Sequence, residues 1–177
     1  LYIKNEYPRY SYRLFSHPIG KYVDLYRKWS NRFLEQLDEK VLYNTLVRLY
    51  PIDQATTYDS FKQKHSKVKY DNYKKTFDYQ LRNCKLAISD TNQTTFLQSI
   101  ALGIPTIIFW DPLYTEINSD AKNLIDKLNK VGILHYSPES AANFLNLNHE
   151  CINKWWMSTE VRKVKTSFIS NYANLSN

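Results

Sequence analysis

Six side chains able to donate hydrogen bonds, Ser89, Thr91, Asn92, Gln93, Thr94 and Thr95, crowd the polar turn of AISDTNQTTFLQSIALGIPTIIFW, Ala87 to Trp110. Apolar segments that read as strands flank the turn on both sides, and a helix is expected to start at about Thr95. The first turn of a helix leaves backbone N–H groups unpaired, and together with the helix dipole they attract an anion. Hydroxyls beside such a start would add donors to a bound phosphate. The same residues also fit a plainer role, because Thr95 followed by Gln98 matches a capping box that would only terminate the helix. A cap needs one hydroxyl, however, and this turn offers several polar side chains at the end of a buried strand.

Other candidates fall in loops that would open on the same side. Arg9, Arg13, Ser16, His17 and Gly20 follow the first apolar segment, and arginine suits two-pronged contact with phosphate; a solvated loop is the alternative. Arg48 interrupts the apolar strand TLVRLYP near its end and requires a partner there, either a ligand phosphate or a carboxylate such as Asp53. Asp111 and Glu116 follow the strand TIIFW, where a carboxylate could bond sugar hydroxyls, although Asp111 equally suits a turn ahead of Pro112. Trp155, Trp156 and the basic residues Arg162, Lys163 and Lys165 read as a core stripe beside a solvated face.

To position these groups the chain must alternate strand and helix. LYI starts it as a strand, and Tyr22, Leu25, Tyr26, Trp29, Phe33, Leu34 and Leu37 recur at helical spacing over Lys21 to Leu37. YNTLVRLYP gives a second strand, and the lysine- and tyrosine-rich stretch Ile52 to Asp78 shows one strand-like fragment, KVKYD. LAIS and IPTIIFW follow as strands around the helix that Gly103 should stop. SDAKNLIDKLNK repeats the pattern with a stop at Gly132 and a strand at Ile133 to Tyr136. Ser137 then serves as N-cap with Pro138 at the first helical position. Ile152, Trp155, Trp156, Val161, Val164, Phe168 and Tyr172 give one long closing helix its apolar face. The order predicts an α/β fold: a Rossmann-like parallel sheet with helices on both faces and a long C-terminal helix. Ligands of such sheets bind at the carboxyl ends of the strands.

Composition narrows the chemistry. The 177 residues suit one domain, and a net charge of +7 favours anionic partners. Only Gly20, Gly103 and Gly132 occur, so neither a dinucleotide fingerprint nor a Gly-Lys-Ser/Thr phosphate loop can be drawn. No Asp-x-Asp is present, and the four histidines are scattered, so no protein-held metal and no cofactor are expected. Cys84 and Cys151, each expected in an apolar setting, do not suggest a disulfide framework. No apolar run approaches the ~20 residues of a membrane helix.

The stretches YPRYSYR, VRLYP, TTFLQSIALGIPTIIFW and VGILHYSPESAA, with WW behind them, resemble in order and spacing a family of transferases encoded in surface-polysaccharide loci. More broadly, the chain resembles the C-terminal, donor-binding half of GT-B glycosyltransferases. The resemblance implies one nucleotide-sugar-binding domain over residues 1–177, belonging to a larger two-domain enzyme and inactive alone. It implies that Ser89, Thr91, Thr94 and Thr95 line the phosphate or nucleotide site, and that the loop carrying Arg9, Arg13 and His17 approaches the phosphates. In many GT-B enzymes a Glu on this helix bonds the ribose; Gln98 stands at the matching position and lacks its charge. The implied donor is a CMP-, UDP- or GDP-activated sugar, and the acceptor a glycan or lipid-linked glycan held by an N-terminal domain. Cytoplasmic placement follows, with peripheral association at the inner face of the membrane compatible with such an acceptor.

Two other readings compete. A non-catalytic binding or scaffold domain would keep the half-fold without the chemistry, as Gln98 suggests. Nucleic-acid binding through Lys62 to Lys75, where Tyr70 and Tyr73 interleave with basic residues, is the weaker one, because such interleaving is usual in a solvated loop.

Overall fold

A computed structural model describes residues 1–5, 21–50, 55–113 and 115–173. Six parallel strands form one sheet in the order β3-β2-β1-β4-β5-β6: β1 Tyr2–Lys4, β2 Leu46–Leu49, β3 Lys69–Tyr70, β4 Ala87–Ser89, β5 Thr106–Phe109 and β6 Leu134–His135. The strand order is Rossmann-like, with its topological switch point between β1 and β4. Nine helices are seen among the described residues: α1 Lys21–Glu35, α2 Glu39–Tyr43, α3 Ala55–Lys64, α4 Phe77–Arg82, α5 Thr94–Ala101, α6 Ser119–Lys130, α7 Pro138–Asn148, α8 Ile152–Trp156 and α9 Thr159–Tyr172.

Period-two alternation in buried strands decides which face each residue serves. On one face Tyr2, Val47, Ile88, Ile107 and Phe109 pack with Phe33 and Leu34 of α1 and with Ala141, Ala142 and Leu145 of α7. Phe33 stacks on Phe109 with ring centres 4.9 Å apart and meets Tyr2 edge-on at 5.2 Å. On the other face Ile108 and Trp110 pack with Phe96 and Ile100 of α5, with Leu124, Ile125 and Leu128 of α6, and with Val161 and Phe168 of α9. The predicted cover of helices on both faces is therefore present. It follows from strands whose residues are apolar at successive positions, as a doubly covered sheet requires.

Several predicted boundaries hold and some shift. Ser137 caps α7 by accepting from the Ser140 N–H at 3.0 Å, with Pro138 in the first turn. The closing helix is not continuous: α8 ends at Trp156, and Ser158 starts α9 as a fresh N-cap that accepts from Val161 N–H. The apolar spacing on either side of Met157 and Ser158 runs in phase and masks the break. Both indoles fill the corner, Trp155 donating to Val131 O and Trp156 to Gly103 O, each at 2.8 Å. Within Ile52 to Asp78 the strand-like KVKYD contains β3, while α3 went unread among its lysines, as did α4, which starts at the end of the stretch. Lys64 and Lys67 of this stretch pair with Glu35 and Glu39. Cys84 is half-buried, but Cys151 is exposed rather than apolar in setting.

Both glycine stops are observed with left-handed backbone, Gly103 at φ +74° and Gly132 at φ +81°. They differ in surroundings: a Cβ at Gly103 would meet nothing within 4 Å, whereas one at Gly132 would lie 2.7 Å from Phe144 Cε2. Gly103→Ala should cost about 1 kcal/mol, the left-handed penalty alone. Gly132→Ala should cost about 2–3 kcal/mol, since a ring packed against His135 and Trp155 must also move. Urea unfolding of the two variants measures the difference; equal losses would remove the role given to Phe144.

Candidate functional site

At the switch point the carboxyl ends of β1 and β4 part. A cavity of about 260 Å³ opens there, with polar lining from Arg48, Ser89, Thr91, Gln93, Thr95 and Gln98 and apolar walls from Ile3 and Phe77. Register explains the convergence: Ile3 is the partner of both Arg48 and Ser89, so the three share one sheet face beneath α4 and α5. A larger cavity of about 530 Å³ lies at the opposite end, beside Leu46 and Leu86, which precede or begin their strands. Parallel sheets place ligand chemistry at the carboxyl ends, so the smaller cavity is the candidate site.

The α5 start is the centre of it. Its N-cap is Gln93, in extended backbone, whose side chain makes no capping bond to the helix. The capping box expected from Thr95 and Gln98 is thus absent: the helix begins one residue earlier, at Thr94, which places Thr95 inside the first turn. Phe96 N–H bonds Gln93 O at 3.1 Å and Ser99 Oγ bonds Thr95 O at 2.8 Å. The uncapped turn keeps its partial positive charge toward the cavity end of the sheet.

Of the residues named from the sequence, Arg48, Ser89, Thr91, Thr95 and Gln98 are brought together around this cavity. Asn92 and Thr94 are exposed on the same turn without lining it, and Glu116 is exposed in the segment between β5 and α6. Arg9, Arg13 and His17 lie outside the described residues. Asp111 makes the turn bond weighed for it, accepting from Leu113 N–H at 2.9 Å. Ser89 Oγ donates to Thr91 O at 3.0 Å, so its proton is spent within the turn and its oxygen is left as an acceptor.

Arg48 has a carboxylate partner, Asp71; Asp53, named from the sequence, lies outside the described residues. Arg48 Nη1 bonds Asp71 Oδ2 and lies 3.4 Å from Lys75 O, and the Arg48 guanidinium sits 5.0 Å from the Tyr73 ring centre and 5.7 Å from that of Phe77. The Asp71 side chain is 1% exposed and that of Arg48 14%. Asp71 Oδ1 also accepts from Tyr73 N–H at 3.0 Å and from Gln80 Nε2 at 3.4 Å. The sequence signal for this pairing was the acidic end of KVKYD: β3 is the neighbour of β2, so a carboxylate just past β3 falls beside an arginine near the end of β2.

On the other side of the sheet a second polar cluster was missed. Asp90 is buried and accepts from Tyr2 OH at 2.6 Å, from Ser30 Oγ at 3.0 Å and from Asn5 N–H at 3.2 Å. Burial pushes its carboxyl above the ordinary range, opposed by the charge of Lys4 and by hydrogen bonding from Tyr2, Tyr26 and the Asn5 N–H. Lys4, itself 2% exposed, donates to Asn5 O at 3.0 Å, and its ammonium lies 5.0 Å from the Tyr26 ring centre. Asp90 thereby clamps β1, β4 and α1 at the edge of the crevice.

Among the described residues no group of three or more His, Cys, Asp or Glu side chains is arranged to hold a metal ion, and no helix is long and apolar enough to cross a membrane. No curated protein and no solved structure matches the chain. A family model does, over residues 1–177, and the chain accordingly belongs to the LIC12162 family of transferases.

Proposed function

We propose that this transferase-family chain is the nucleotide-sugar-binding domain of a metal-independent GT-B glycosyltransferase of bacterial surface-polysaccharide synthesis. The observation that carries the reading is the cavity at the switch point, where an arginine, two threonines and two glutamines meet an uncapped helix start. In glycosyl transfer the leaving nucleotide gains negative charge on its phosphate. A guanidinium and a helix N-terminus fixed beforehand can stabilise that charge without reorganising. In this scheme Thr91 and Thr95 contact phosphate oxygens and Gln98 bonds the ribose hydroxyls. The cavity of about 260 Å³ lies slightly below the ~300–1,000 Å³ usual for ligand sites, which suits half of a cleft. A second domain would supply the other half, the glycan or lipid-linked acceptor and the catalytic base. Activated sugars place the reaction in the cytoplasm, at the membrane's inner face where the acceptor is lipid-linked.

Titration of the chain with CMP, UDP and GDP tests the reading, because a ligand that binds only the folded state raises its thermal midpoint. At least one nucleotide should stabilise the protein at millimolar concentration. Thr95→Val and Gln98→Ala should each weaken that binding about five- to tenfold, the loss of one hydrogen bond of ~1 kcal/mol. Silence toward all three nucleotides, or binding untouched in both variants, would sink the assignment and favour a scaffold role.

A further inference from the structure

Tyr73 is, among the described non-glycine residues, the one with a positive φ, at +59°. A bulky aromatic residue in left-handed backbone is a strained arrangement that persists only where its surroundings enforce it. Three contacts do so here. Asp71 Oδ1 accepts from the Tyr73 N–H at 3.0 Å, the phenol donates to Leu49 O at 2.9 Å, and the ring lies against the Arg48 guanidinium at 5.0 Å. Glycine would occupy this backbone without penalty, so the side chain is what the strain retains. Asp71 serves both ends of the arrangement, bonding Arg48 through one carboxylate oxygen and the strained turn through the other.

We infer that Asp71 and Tyr73 are positioning residues that hold Arg48 in a fixed pose at the cavity for the phosphate of a nucleotide ligand; this rests on the function proposed above. Arginine has several rotatable bonds and loses entropy when a ligand orders it. A guanidinium already bonded on one edge by Asp71 and close to the Tyr73 and Phe77 rings has lost much of that entropy in advance. Nη1 is committed to Asp71, which leaves the fork's other N–H groups as the ones to meet an anion. A purely structural ion pair would need neither a strained aromatic neighbour nor a place in the cavity lining.

The test is Tyr73→Gly, which removes the ring and relieves the backbone, with Tyr73→Asn as a second variant tolerant of the same backbone and Tyr73→Phe as the conservative rescue. Each is titrated with UDP, CMP and GDP and with the matching nucleosides, and its thermal midpoint is recorded. The expected result is that Tyr73→Gly and Tyr73→Asn lose about tenfold in affinity for the nucleotide the parent chain binds. The midpoint of Tyr73→Gly should stay level or rise, nucleoside binding should be unchanged, and Tyr73→Phe should stay within about threefold of the parent. Parent-like nucleotide affinity in both ring-less variants overturns the inference and leaves the site assignment standing. So does an equal loss for nucleotide and nucleoside with a lowered midpoint, the mark of a structural role. A parent chain that binds no nucleotide overturns the site assignment and this inference with it.

Discussion

Replacing Asp90 by alanine should destabilise the protein by about 3–5 kcal/mol, the cost of removing one partner from a buried charged network. The substitution takes the acceptor from Tyr2 OH, Ser30 Oγ and Asn5 N–H together. Ser30 Oγ has a second acceptor, Tyr26 O at 3.1 Å, so its single proton can be rehoused, and the Tyr2 and Asn5 donors carry most of the loss. Lys4 adds to it, because its buried side chain would lose the attraction of the nearby carboxylate. Geometry makes the effect local as well as energetic. β1 and β4 pair in register through Tyr2 with Ile88 and Ile3 with Ser89, and the Asp90 side chain extends that short junction past its end by accepting from Asn5 N–H. Asp90→Asn should cost less, about 1–3 kcal/mol, since an amide oxygen still accepts from Tyr2. Urea denaturation of both variants gives the comparison. An alanine variant within about 1 kcal/mol of the parent would mean that the cluster is solvated or rearranges freely, and the clamp assigned to the switch point would fail.

The architecture was legible because its signals are local and redundant. Apolar strands at LAIS and IPTIIFW, stops at Gly103 and Gly132, and the Ser137-Pro138 start each specify an element through backbone chemistry alone. They agree with one another, which is what a parallel α/β order requires. The helix break at Ser158 was hidden for the converse reason: apolar residues on both sides keep helical phase, and only a capping serine marks the interruption. Around the cavity, the sequence identified groups that share one loop or lie at one strand end. It missed those that meet only across strands. Asp71 was unreadable as the partner of Arg48 until β3 was known to lie beside β2, because 23 residues separate the two along the chain. Asp90 was visible in the polar turn, but nothing local showed that it points to the face opposite Ser89. Strand alternation decides that, and a turn residue just beyond a strand gives no periodicity from which to read it. Tyr73 looked like one tyrosine among many because a positive φ leaves no mark in a sequence unless glycine or asparagine occupies the position.

Between about pH 7 and about pH 4 the protein should lose about 3 kcal/mol of stability through His135 alone. His135 is 5% exposed at the end of β6, and burial lowers its imidazole pKa from 6.5 to about 4. Its ring is satisfied in the neutral form: Nε2 donates to Gly132 O at 3.0 Å, and Nδ1 accepts from the Ser140 hydroxyl at 2.9 Å. A proton added at Nδ1 would convert that acceptor into a donor and bury a cation against Phe144. With the folded value below the unfolded one, the contribution is complete above 6.5 and is lost as pH falls toward and through 4, because the unfolded chain takes up a proton that the folded chain refuses. His65, also lowered chiefly by burial, adds to the fall, whereas the raised carboxyl of Asp90 works the other way, favouring the folded state as it protonates. The net curve therefore mixes signs, and the informative quantity is the difference between the parent and His135→Gln. The variant loses some stability at neutral pH but has no ring to titrate, so its stability should fall by about 3 kcal/mol less over the same interval. Denaturant midpoints at several pH values supply both curves. Parallel curves would show that the ring at position 135 is charged without penalty, and the neutral hydrogen-bonded imidazole that joins Gly132 at the helix stop to Ser140 in α7 would have to be abandoned.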